Sequence, residues 1–397
     1  MTAVPAHEVA AVLVNYNSGD LCVEAVKSLR AQKLDGSLQI IVIDNASPID
    51  QRAPLAPLDD LDVDVVFHEQ NLGYGGGMNL GMERVDARHV LLSNPDVLLL
   101  DGALAAMIAR LDAEPDIGVV GPRGFLEPGL FVMLPPNDLP TLRLHVQESL
   151  GRGDREIARR ASLERTRRFL RTWEANDAHD MQMVSGFGFC MRTDRARALG
   201  PFDPEFPFYF EDSDLCRRVR NSGARVVLEP AARMIHFFDR SARTAREEVL
   251  RKYDVSRARY YGKHYGPAGV RLLDRMNAWV AEQEVADGWK FFEPDELGAV
   301  AEPIEFDVPG GGAERPWVAE IATDPSFLFC GGHLGDGGAF RFAPTGWNAL
   351  VPTRWYVRVL ARDDLTCLRY VTFEKTTPDA YPASYEEAAR TWAGMSP

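Results

Sequence analysis

Apolar runs with the length of single strands alternate with a helical pattern near the start of the chain. Residues 9–14, 40–43 and 63–67 are short runs rich in Val and Ile. Between the first two, residues 20–32 repeat apolar side chains at three- and four-residue spacing, which predicts an amphipathic helix. Continuous apolar strands joined by helices are typical of a parallel sheet that is covered on both faces. The pattern predicts an α/β domain with a mostly parallel central sheet.

Polar residues follow three predicted strands, at the end of the sheet where such folds bind ligands. They are Asn15 with Tyr16 after the run at 9–14, Asp44 after the run at 40–43, and Asn94 with Asp96 after a further apolar run at 89–92. The Asp44 carboxylate can accept hydrogen bonds from a nucleobase or a ribose, although an aspartate at this point can also cap a helix. The Asp96 carboxylate suits Mg²⁺ or Mn²⁺, although Asn-Pro-Asp is also ordinary turn sequence.

A glycine-rich segment and an acidic segment complete the candidate site. Residues 71–81 offer a flexible backbone whose amides can approach a diphosphate, or else they form a plain turn. Glu211, Asp212 and Asp214 follow an aromatic run and precede two arginines. Acidic residues at a helix start often interact only with the helix dipole. Alternatively, one of these carboxylates acts as a general base while a neighbouring arginine holds a phosphate.

Ordered blocks of sequence over residues 9–265 resemble the rhamnosyltransferase-like branch of glycosyltransferase family two. The blocks are VLVNYNSGD, IIVIDNAS, NLGYGGGMNLG, LLSNPDV, MVSGFGFCMRTD, GPFDPEFPFYFEDSDLCRRVRNSGARVVLEP and MIHF. The resemblance implies a GT-A nucleotide-diphospho-sugar transferase fold and the transfer of a sugar with inversion of its anomeric centre. It favours deoxythymidine diphosphate (dTDP) rhamnose as the donor, with a UDP-sugar as the alternative.

Carried over to this chain, the resemblance implies roles for individual residues. Asp212 and Glu211 match the catalytic acidic pair, with Asp212 as the base that deprotonates the acceptor. Asp96 becomes a ligand of Mg²⁺ or Mn²⁺, and His236 matches a further metal ligand, although a lone histidine after a strand is more often structural. The nucleotide sugar would contact the remaining positions: Asn15, Tyr16, Asp44, Asn71, Gly73, Asn79, Asn94, Arg217 and Arg218.

One departure from the family pattern concerns the metal. Many relatives carry Asp-x-Asp where this chain has Asn94, Pro95 and Asp96. The replacement halves the negative charge that is offered to the ion, so we expect the metal to bind only together with the donor.

The composition is that of a globular enzyme and disfavours nucleic-acid binding. The chain has 397 residues, which is enough for two domains, one of them large enough to enclose a pocket. Its formal net charge of -14 disfavours a general nucleic-acid binder. Five cysteines without Cys-x-x-Cys spacing indicate neither a zinc knuckle nor a disulfide framework, and fit a reducing cytosol.

The apolar runs also bear on localisation. No basic stretch precedes the N-terminal apolar run, and no run reaches the about 18 apolar residues of a membrane-spanning helix. We therefore predict a cytoplasmic protein whose membrane contact, if any, is peripheral and at the inner face of the membrane.

An arginine-rich helical insertion at about residues 141–180 interrupts the first domain. Its eight arginines are Arg152, Arg155, Arg159, Arg160, Arg165, Arg167, Arg168 and Arg171. Such a charge run is typical of a solvated helix. The alternative is a basic lid that meets anionic lipid head groups or a lipid-diphosphate acceptor.

The C-terminal part of the chain has the pattern of an all-β module. Glu, Pro and Gly cluster from about residue 298 to 312, and four short strands are predicted behind them at 317–323, 339–342, 355–361 and 368–373. The strands weakly resemble a fibronectin type III-like sandwich, which would place Trp317 and Phe327 in its core. The predicted domains are a GT-A domain at 1–270, a connecting helix and linker at 271–312, and a sandwich-like domain at 313–397.

The sequence predicts a metal-assisted, inverting glycosyltransferase of cell-surface polysaccharide synthesis. It would move a sugar, with rhamnose favoured, from a nucleoside diphosphate to a hydroxyl group of a glycan or lipid-linked glycan. The alternative from another functional class is a catalytically silent glycan-binding or scaffolding protein on the same fold. The presence of Asp44, Asp96, Glu211 and Asp212 together favours the enzyme.

Overall fold

The computed structural model describes residues 5–206, 208–237, 246–283 and 293–393. The chain forms two compact units, each assembled from separate stretches. The first unit comprises Met1–Arg123, Asn137–Leu139 and Asn176–Val270. The second comprises Gly124–Pro136, Pro140–Ala175 and Arg271–Pro397. Neither unit therefore coincides with one of the linear segments that the sequence predicts.

Helices and strands alternate along most of the chain. In chain order, the helices are α1 Gly19–Arg30, α2 Arg52–Leu55, α3 Gly73–Glu83, α4 Ala103–Ala113, α5 Leu142–Gly153, α6 Arg155–Trp173, α7 Thr193–Leu199, α8 Glu211–Asn221, α9 Arg246–Ala281, α10 Pro344–Ala349 and α11 Tyr385–Ala393, with a 3₁₀ helix at Ala56–Leu61. The strands are β1 His7–Asn15, β2 Leu38–Asn45, β3 Asp64–His68, β4 Ala87–Ser93, β5 Val97–Leu99, β6 Ile117–Phe125, β7 His179–Met181, β8 Gly188–Arg192, β9 Arg225–His236, β10 Asp295–Val300, β11 Glu305–Asp307, β12 Trp317–Ala322, β13 Gly331–Gly335, β14 Ala339–Arg341, β15 Arg354–Ala361 and β16 Cys367–Lys375.

The first unit is built on a nine-stranded mixed sheet with the order β3-β2-β1-β4-β8-β6-β9-β5, in which β7 also pairs with β9. β1 is parallel to β2 and β4, and β2 is parallel to β3. β8 is antiparallel to β4, while β5 and β7 are antiparallel to β9. The predicted α/β fold class is thus confirmed, and the parallel pairing lies in the first four strands. Their carboxyl ends share one edge of the sheet, where ligands are expected.

The apolar pattern explains how β1 sits in this sheet. Residues 9–13 of β1 are fully buried, as expected for a strand that is covered on both faces. Val12 and Val14 share one hydrophobic cluster with Met78 and Met82 of α3. Because alternate side chains of a strand point to opposite faces, α3 covers the face that these two valines occupy.

Helix α3 corrects the expectation of a flexible glycine-rich loop at residues 71–81. From Gly73 onward this segment is an α-helix. A Cβ atom at Gly81 would overlap Cγ1 of Val12, and one at Gly77 would lie 3.0 Å from the Val14 side chain. The glycines therefore let the helix backbone lie directly on β1, which outweighs their low helix propensity.

The second unit contains a five-stranded sheet with the order β10-β16-β15-β12-β13 and a two-stranded sheet of β11 and β14. All six residues of β12 are buried, so both faces of this strand are covered. On one face, Trp317 and Ile321 join an apolar core with Phe340 of β14. On the other face, Glu320 accepts a hydrogen bond from Thr166 of α6 at 2.8 Å.

The C-terminal strands form where the sequence predicts them, and Trp317 and Phe327 are buried as predicted. The structure differs in the predicted linker, where β10 and β11 form. Ile304, Phe306 and Val308 in this stretch are all buried, and this alternation of apolar and polar residues is a strand signal that the surrounding glycines obscured. The likeness to a fibronectin type III-like sandwich stays a prediction.

The arginine-rich insertion forms α5 and α6, both within the second unit. Asp154 caps α6 by accepting backbone hydrogen bonds from its first turn. Arg159 and Arg160 form surface ion pairs with Glu156, as expected of a solvated helix. Arg165 departs from that expectation because it is buried on the apolar face of the helix. Within the described part of the chain, no helix is sufficiently long and apolar to span a membrane.

Candidate functional site

The carboxyl ends of β1 and β2 hold a buried polar network around Asp44. Asn15 and Asp44 are register neighbours, and Asn15 Nδ2 donates to Asp44 Oδ2 at 2.8 Å. Ser47 Oγ donates to the same carboxylate oxygen at 2.7 Å. Gln51 Oε1 accepts a hydrogen bond from the Gly19 amide at 2.9 Å and so fixes the start of α1 beside this network. Two of the predicted nucleotide-binding residues are therefore in direct contact.

Two further features indicate whether Asp44 caps a helix or faces a ligand. Gln51, not Asp44, is the residue that precedes α2, so the predicted alternative of a helix cap at Asp44 does not hold. Tyr16 directly follows Asn15 and keeps 39% of its surface exposed. A buried carboxylate beside an exposed aromatic ring is a suitable arrangement for a flat, polar ligand such as a nucleobase.

The turn into α3 is held by amide side chains. Asn45, the last residue of β2, accepts a hydrogen bond from the Leu72 amide at 2.9 Å and donates to the Gly73 carbonyl at 3.0 Å. Asn71 Oδ1 accepts from the Gly73 amide at 2.8 Å. Gly73 has a φ of 71°, in the left-handed region that glycine adopts without strain. Asn71 and Gly73 thus shape this turn. The turn is bound to Asn45, the residue that follows Asp44 in β2.

Asn79 makes a different contact from the other predicted nucleotide-sugar residues. It lies in α3, where its Nδ2 donates to the Phe202 carbonyl at 2.8 Å and its Oδ1 accepts from the Phe202 amide at 3.1 Å. Both ends of the amide are thus used to hold the segment after α7 against α3. Its role in ligand binding stays a prediction.

Asp96 and His236 lie side by side where β5 begins and β9 ends. Val97, the first residue of β5, pairs with His236. His236 Nε2 is 3.4 Å from Asp96 Oδ1 and 3.3 Å from Asn94 Nδ2. The Phe187 ring stacks on the imidazole, with 5.2 Å between the ring centroids. The two predicted metal ligands are therefore neighbours, although 140 positions separate them in the sequence (236 − 96).

This pair fits a Mg²⁺ or Mn²⁺ ion as part of a ligand set. A carboxylate oxygen suits both ions, and an imidazole nitrogen is a further donor that Mn²⁺ accepts. Within the described ranges, no group of three or more His, Cys, Asp or Glu residues is placed to hold a metal ion. Two protein ligands leave most of the coordination shell to water and phosphate oxygens, as is usual for ions that bind with nucleotide phosphates.

The acidic pair Glu211 and Asp212 opens α8 after an unusual backbone segment. Tyr209 and Phe210 both have a φ of 65°, a left-handed conformation that bulky residues rarely adopt. Such strain costs about 1 to 3 kcal/mol per residue and is concentrated at functional sites, where the surrounding structure maintains it. Because Phe210 directly precedes α8, this conformation sets how the first turn presents the two carboxylates.

The two carboxylates differ in their hydrogen bonds. Asp212 Oδ2 accepts from the Gly186 amide at 3.0 Å, and Oδ1 accepts from the Ser213 amide at 2.6 Å. Glu211 Oε2 is buried and has no hydrogen-bond partner among the described residues. Burial and the neighbouring Asp212 charge raise the pKa of Glu211 to about 8. Burial also raises the pKa of Asp212, but its hydrogen bonds oppose that shift.

Tyr74 connects the acidic pair with the candidate metal ligand. Its hydroxyl donates to the Gly186 carbonyl at 3.0 Å, and the amide of the same Gly186 donates to Asp212. Burial raises the pKa of Tyr74 well above its usual range, and the charges of Glu211, Asp212 and Asp96 raise it further. All three carboxylates therefore lie within electrostatic reach of one phenol. The sequence analysis missed Tyr74 and Gly186; the signal for Tyr74 was one aromatic residue inside the glycine-rich segment.

The third acidic residue, Asp214, is fully paired. It accepts hydrogen bonds from Arg218 Nε at 2.7 Å and His264 Nε2 at 2.8 Å, and it forms an ion pair with Lys263 Nζ at 2.7 Å. Burial opposes ionisation, but the hydrogen bonds from His264, Lys263 and Arg218 hold the pKa of Asp214 at about 2. Asp214 is therefore a structural tie between α8 and α9 and not a candidate base.

The two arginines predicted to lie near a diphosphate contact protein groups. Arg218 donates to backbone carbonyls of residues 199–201 in addition to its pairing in α8. Arg217 donates to the Tyr265 hydroxyl at 2.7 Å and to the Tyr260 hydroxyl at 3.3 Å, and its guanidinium lies 4.4 Å from the Tyr265 ring centroid. These contacts account for both side chains, and their binding to a diphosphate stays a prediction.

The first part of the chain is similar in sequence to known glycosyltransferases. Residues 10–161 match the model of the family described as Glycosyl transferase family 2. The pre-mycofactocin glycosyltransferase of Mycobacterium tuberculosis is 25% identical over 289 residues, which cover 72% of this chain and 53% of the relative. The succinoglycan biosynthesis protein ExoO of Rhizobium meliloti is 30% identical over 106 residues, which cover 27% of this chain and 30% of the relative.

The chain spans about half the length of the first of these relatives. Among solved structures, the mannosyltransferase PcManGT from Pyrobaculum calidifontis, in complex with GDP-Man and Mn²⁺, is 16% identical, with a TM-score of 0.42 over 69% of this chain and 75% of its own. S. aureus TarS is 14% identical, with a TM-score of 0.41 over 72% and 74%. The family match confirms the predicted resemblance at the level of family two, and the rhamnosyltransferase-like branch stays a prediction.

Proposed function

We propose that this protein is a glycosyltransferase that moves a sugar from a nucleoside diphosphate donor to a hydroxyl group of a glycan or lipid-linked glycan. The observation that carries the proposal is the hydrogen-bonded connection of Tyr74 with Asp212 and the action of the Glu211 and Asp96 charges on the same phenol, in a chain whose residues 10–161 match glycosyl transferase family 2. Two of these four residues, Tyr74 and Asp96, lie inside the matched region. A carboxylate pair and a metal-suited carboxylate at one sheet edge are the groups that such a reaction requires.

The nucleoside would bind at the ends of β1 and β2. Asp44 there is fixed by Asn15 and Ser47, so its remaining acceptor capacity has a defined direction. A buried carboxylate held in this way can accept hydrogen bonds from a base imide or a ribose hydroxyl. The exposed Tyr16 ring would line the same pocket. The turn formed by Asn71 and Gly73 would contact the nucleotide sugar nearby.

The diphosphate would bind together with Mg²⁺ or Mn²⁺, which neutralises the negative charge that develops on the departing group. Asp96 and His236 are the residues that would hold the ion, and Asn94 would contact the nucleotide beside them. Because this chain offers one carboxylate in the Asn-Pro-Asp sequence, donor phosphates would complete the metal site. Metal affinity is therefore expected to depend on the presence of nucleotide.

Asp212 would remove the proton from the acceptor hydroxyl. The acceptor oxygen forms a bond to the anomeric carbon, and the bond from that carbon to the diphosphate oxygen breaks, with its electron pair leaving on the diphosphate. Hydrogen bonds from Gly186 and Ser213 stabilise the ionised form of Asp212 and hold its carboxylate in one orientation. A single displacement of this kind inverts the anomeric centre.

The donor and the biological role are inferred from resemblance. The rhamnosyltransferase-like sequence blocks favour dTDP-rhamnose, with a UDP-sugar as the alternative. A relative whose name is succinoglycan biosynthesis protein supports a role in cell-surface polysaccharide synthesis. Work at the inner face of the membrane, with peripheral contact through the arginine-rich helices, belongs to the same proposal.

The test is the release of nucleoside diphosphate from a panel of donors. The panel contains dTDP-rhamnose, UDP-N-acetylglucosamine and GDP-mannose, each with and without Mg²⁺ or Mn²⁺. We expect release from at least one donor, with dTDP-rhamnose first, and no release by the Asp212→Asn variant. Binding of glycans without release from any donor would instead support a catalytically silent glycan-binding protein.

A further inference from the structure

Among the acidic residues of the candidate site, Glu211 has the least complete hydrogen bonding. Only 7% of its surface is exposed, and Oε2 is buried without a hydrogen-bond partner among the residues described. A buried polar atom without a partner is unfavourable, and more so when it is charged. Native structures retain such atoms where a ligand, an ion or a proton completes them.

The titratable groups that face Glu211 are acidic or neutral. Asp212 is the next residue of α8, and its charge acts on Glu211. Tyr74 of α3 is within electrostatic reach of Glu211. The Tyr74 hydroxyl already donates its hydrogen bond to the Gly186 carbonyl, so it does not donate one to Glu211. The charge of Asp96 also acts on the Tyr74 phenol. Asp212 thus places a second negative charge beside Glu211, and no described residue donates a hydrogen bond to Glu211 Oε2.

Two neighbouring carboxylates in a poorly solvated site do not both ionise readily at neutral pH. Asp212 accepts backbone hydrogen bonds from Gly186 and Ser213, which stabilise a negative charge. Glu211 lacks such support at Oε2. The charge of the pair therefore belongs on Asp212, and the shared proton belongs on Glu211. A protonated carboxyl group has one O–H donor, which an ionised carboxylate lacks.

We propose that Glu211 works as a neutral carboxylic acid and donates a hydrogen bond to an oxygen atom of the bound nucleotide sugar. This inference rests on the proposed function, and it separates the roles of the two acidic residues. Asp212 is the ionised base, whereas Glu211 is a donor that binds the substrate.

Charge balance explains why the ligand should be the nucleotide sugar. Its diphosphate is anionic, and Asp212 and Asp96 already place two carboxylates around it. A third ionised carboxylate would repel the diphosphate, whereas a neutral acid attracts an oxygen atom with its O–H group. The two arginines nearest in sequence, Arg217 and Arg218, direct their hydrogen bonds at tyrosines and backbone carbonyls.

The first test measures nucleotide affinity against pH. Calorimetry with Mg²⁺ and dTDP-rhamnose, UDP-N-acetylglucosamine or GDP-mannose would cover about pH 6 to 9.5, on both sides of the raised pKa of Glu211. For the wild type, we expect affinity for the donor that binds to fall about tenfold per pH unit above about 8. Glu211→Gln should bind more weakly than the wild type at about pH 6 and should lose this alkaline decline, because an amide donates a hydrogen bond but does not ionise.

Glu211→Ala is the matched control, because it removes the donor group altogether. It should bind more weakly than Glu211→Gln at about pH 6 and should also lack the alkaline decline. Repeating the titration with the nucleoside diphosphate alone identifies the oxygen involved. A decline with the diphosphate alone places the hydrogen bond on a phosphate oxygen, and a decline with the nucleotide sugar only places it on a sugar oxygen. Both results support the proposal.

The second test needs no ligand. Because the pKa of Glu211 is raised in the folded state, the folded protein holds a proton that the unfolded chain releases between the ordinary value of 4.5 and about 8. The contribution of Glu211 therefore lowers the free energy of unfolding progressively as the pH rises through that window. Urea unfolding at a series of pH values should therefore show Glu211→Gln gaining stability relative to the wild type from about pH 5 to 8.

The two tests separate failure of this proposal from failure of the proposed function. Wild-type nucleotide affinity that stays constant or increases above about pH 8, with turnover intact, would overturn the neutral role of Glu211 and leave the glycosyltransferase in place. An equal pH dependence of stability in the wild type and Glu211→Gln would overturn it as well. Absence of nucleotide binding at every pH would overturn the proposed function together with this inference.

Discussion

Two buried glutamates, one in each compact unit, show opposite ways of burying a carboxylate. Glu320 of β12 is fully buried, and it forms an ion pair with Arg358 of β15 and accepts a hydrogen bond from Thr166 of α6. Glu211 is nearly as buried, yet one of its oxygens has no partner in the described structure. The first carboxylate is completed by its own chain, whereas the second is incomplete without a proton or a ligand.

The pairing of the carboxylate oxygens, more than burial, distinguishes Glu211 from Glu320. Buried charges are tolerated when they are paired and hydrogen-bonded, and removing one partner is then strongly destabilising. Asp214 lies in the same helix as Glu211, only three residues away in sequence (214 − 211). In contrast to Glu211, it is fully paired. Within α8, incomplete pairing therefore distinguishes Glu211 from Asp214.

The largest expected effect is on turnover. Asp212→Asn should lower kcat by about 10²- to 10⁴-fold while donor affinity remains, because an amide keeps the shape of the side chain but cannot take the acceptor proton. The rate at which nucleoside diphosphate is formed gives kcat, and calorimetry measures donor binding. Asp60→Asn, a change at an exposed aspartate, is the control and should leave both unchanged. Near-normal turnover of Asp212→Asn would move the base elsewhere, with Glu211 as the first alternative.

The second effect concerns the paired glutamate. Arg358→Ala should lower the free energy of unfolding by about 3 to 5 kcal/mol, because it leaves Glu320 buried and without its cation. Arg354→Ala in the same strand is the matched control. Arg354 pairs with Glu296 at the surface, so its loss should cost less than about 1 kcal/mol. Equal losses in urea unfolding would contradict the structural role of the buried pair.

A third effect tests the packing that supports the site. Gly81→Ala should destabilise the protein by about 1 to 3 kcal/mol, because its new Cβ overlaps Val12 Cγ1 in β1. Gly262→Ala in α9 is the control, since a Cβ there would meet Val270 at an ordinary 3.5 Å. Thermal unfolding of both variants provides the comparison. A Gly81→Ala variant as stable as the control would show that α3 can move away from β1 without cost.

The fourth effect is the smallest, and it concerns the metal. Asp96→Ala should weaken donor binding in the presence of Mg²⁺ or Mn²⁺ by about tenfold or more, and should leave metal-free binding nearly unchanged. Asp101→Asn, at an exposed turn residue, is the control. Calorimetry with and without metal gives the measurement. If Asp96→Ala retained the same metal-dependent gain as the wild type, the metal assignment would be wrong.

Local patterns in the sequence predicted the elements of the first unit well. The runs at residues 9–14 and 40–43 fall within β1 and β2, and the run at 63–67 overlaps β3 from residue 64 onward, because apolar continuity and helix spacing are local properties. The glycine-rich segment was misread, since glycine indicates flexibility in isolation. Here the close approach of Val12 and Val14, which no local pattern reveals, makes the same glycines part of a packed helix.

The sequence predicted members of the candidate site but not the contacts between them. Asp212 and Asp96 were identified through sequence blocks, whereas Tyr74, which lies within reach of both, carried no signal beyond its aromatic ring. The pairing of Thr166 with Glu320 joins positions 154 residues apart, and the buried Arg165 lies on the same side of α6. Contacts at such separations depend on tertiary packing, which composition and periodicity do not encode.

The most direct test of the comparison replaces each buried glutamate by its amide and measures the free energy of unfolding at neutral pH. Glu320→Gln should destabilise the protein by about 3 to 5 kcal/mol, because Arg358 is left buried without its counter-charge. Glu211→Gln should keep or increase stability, because a neutral amide replaces an acid that burial already disfavours as an anion. Equal destabilisation by the two substitutions would contradict the account.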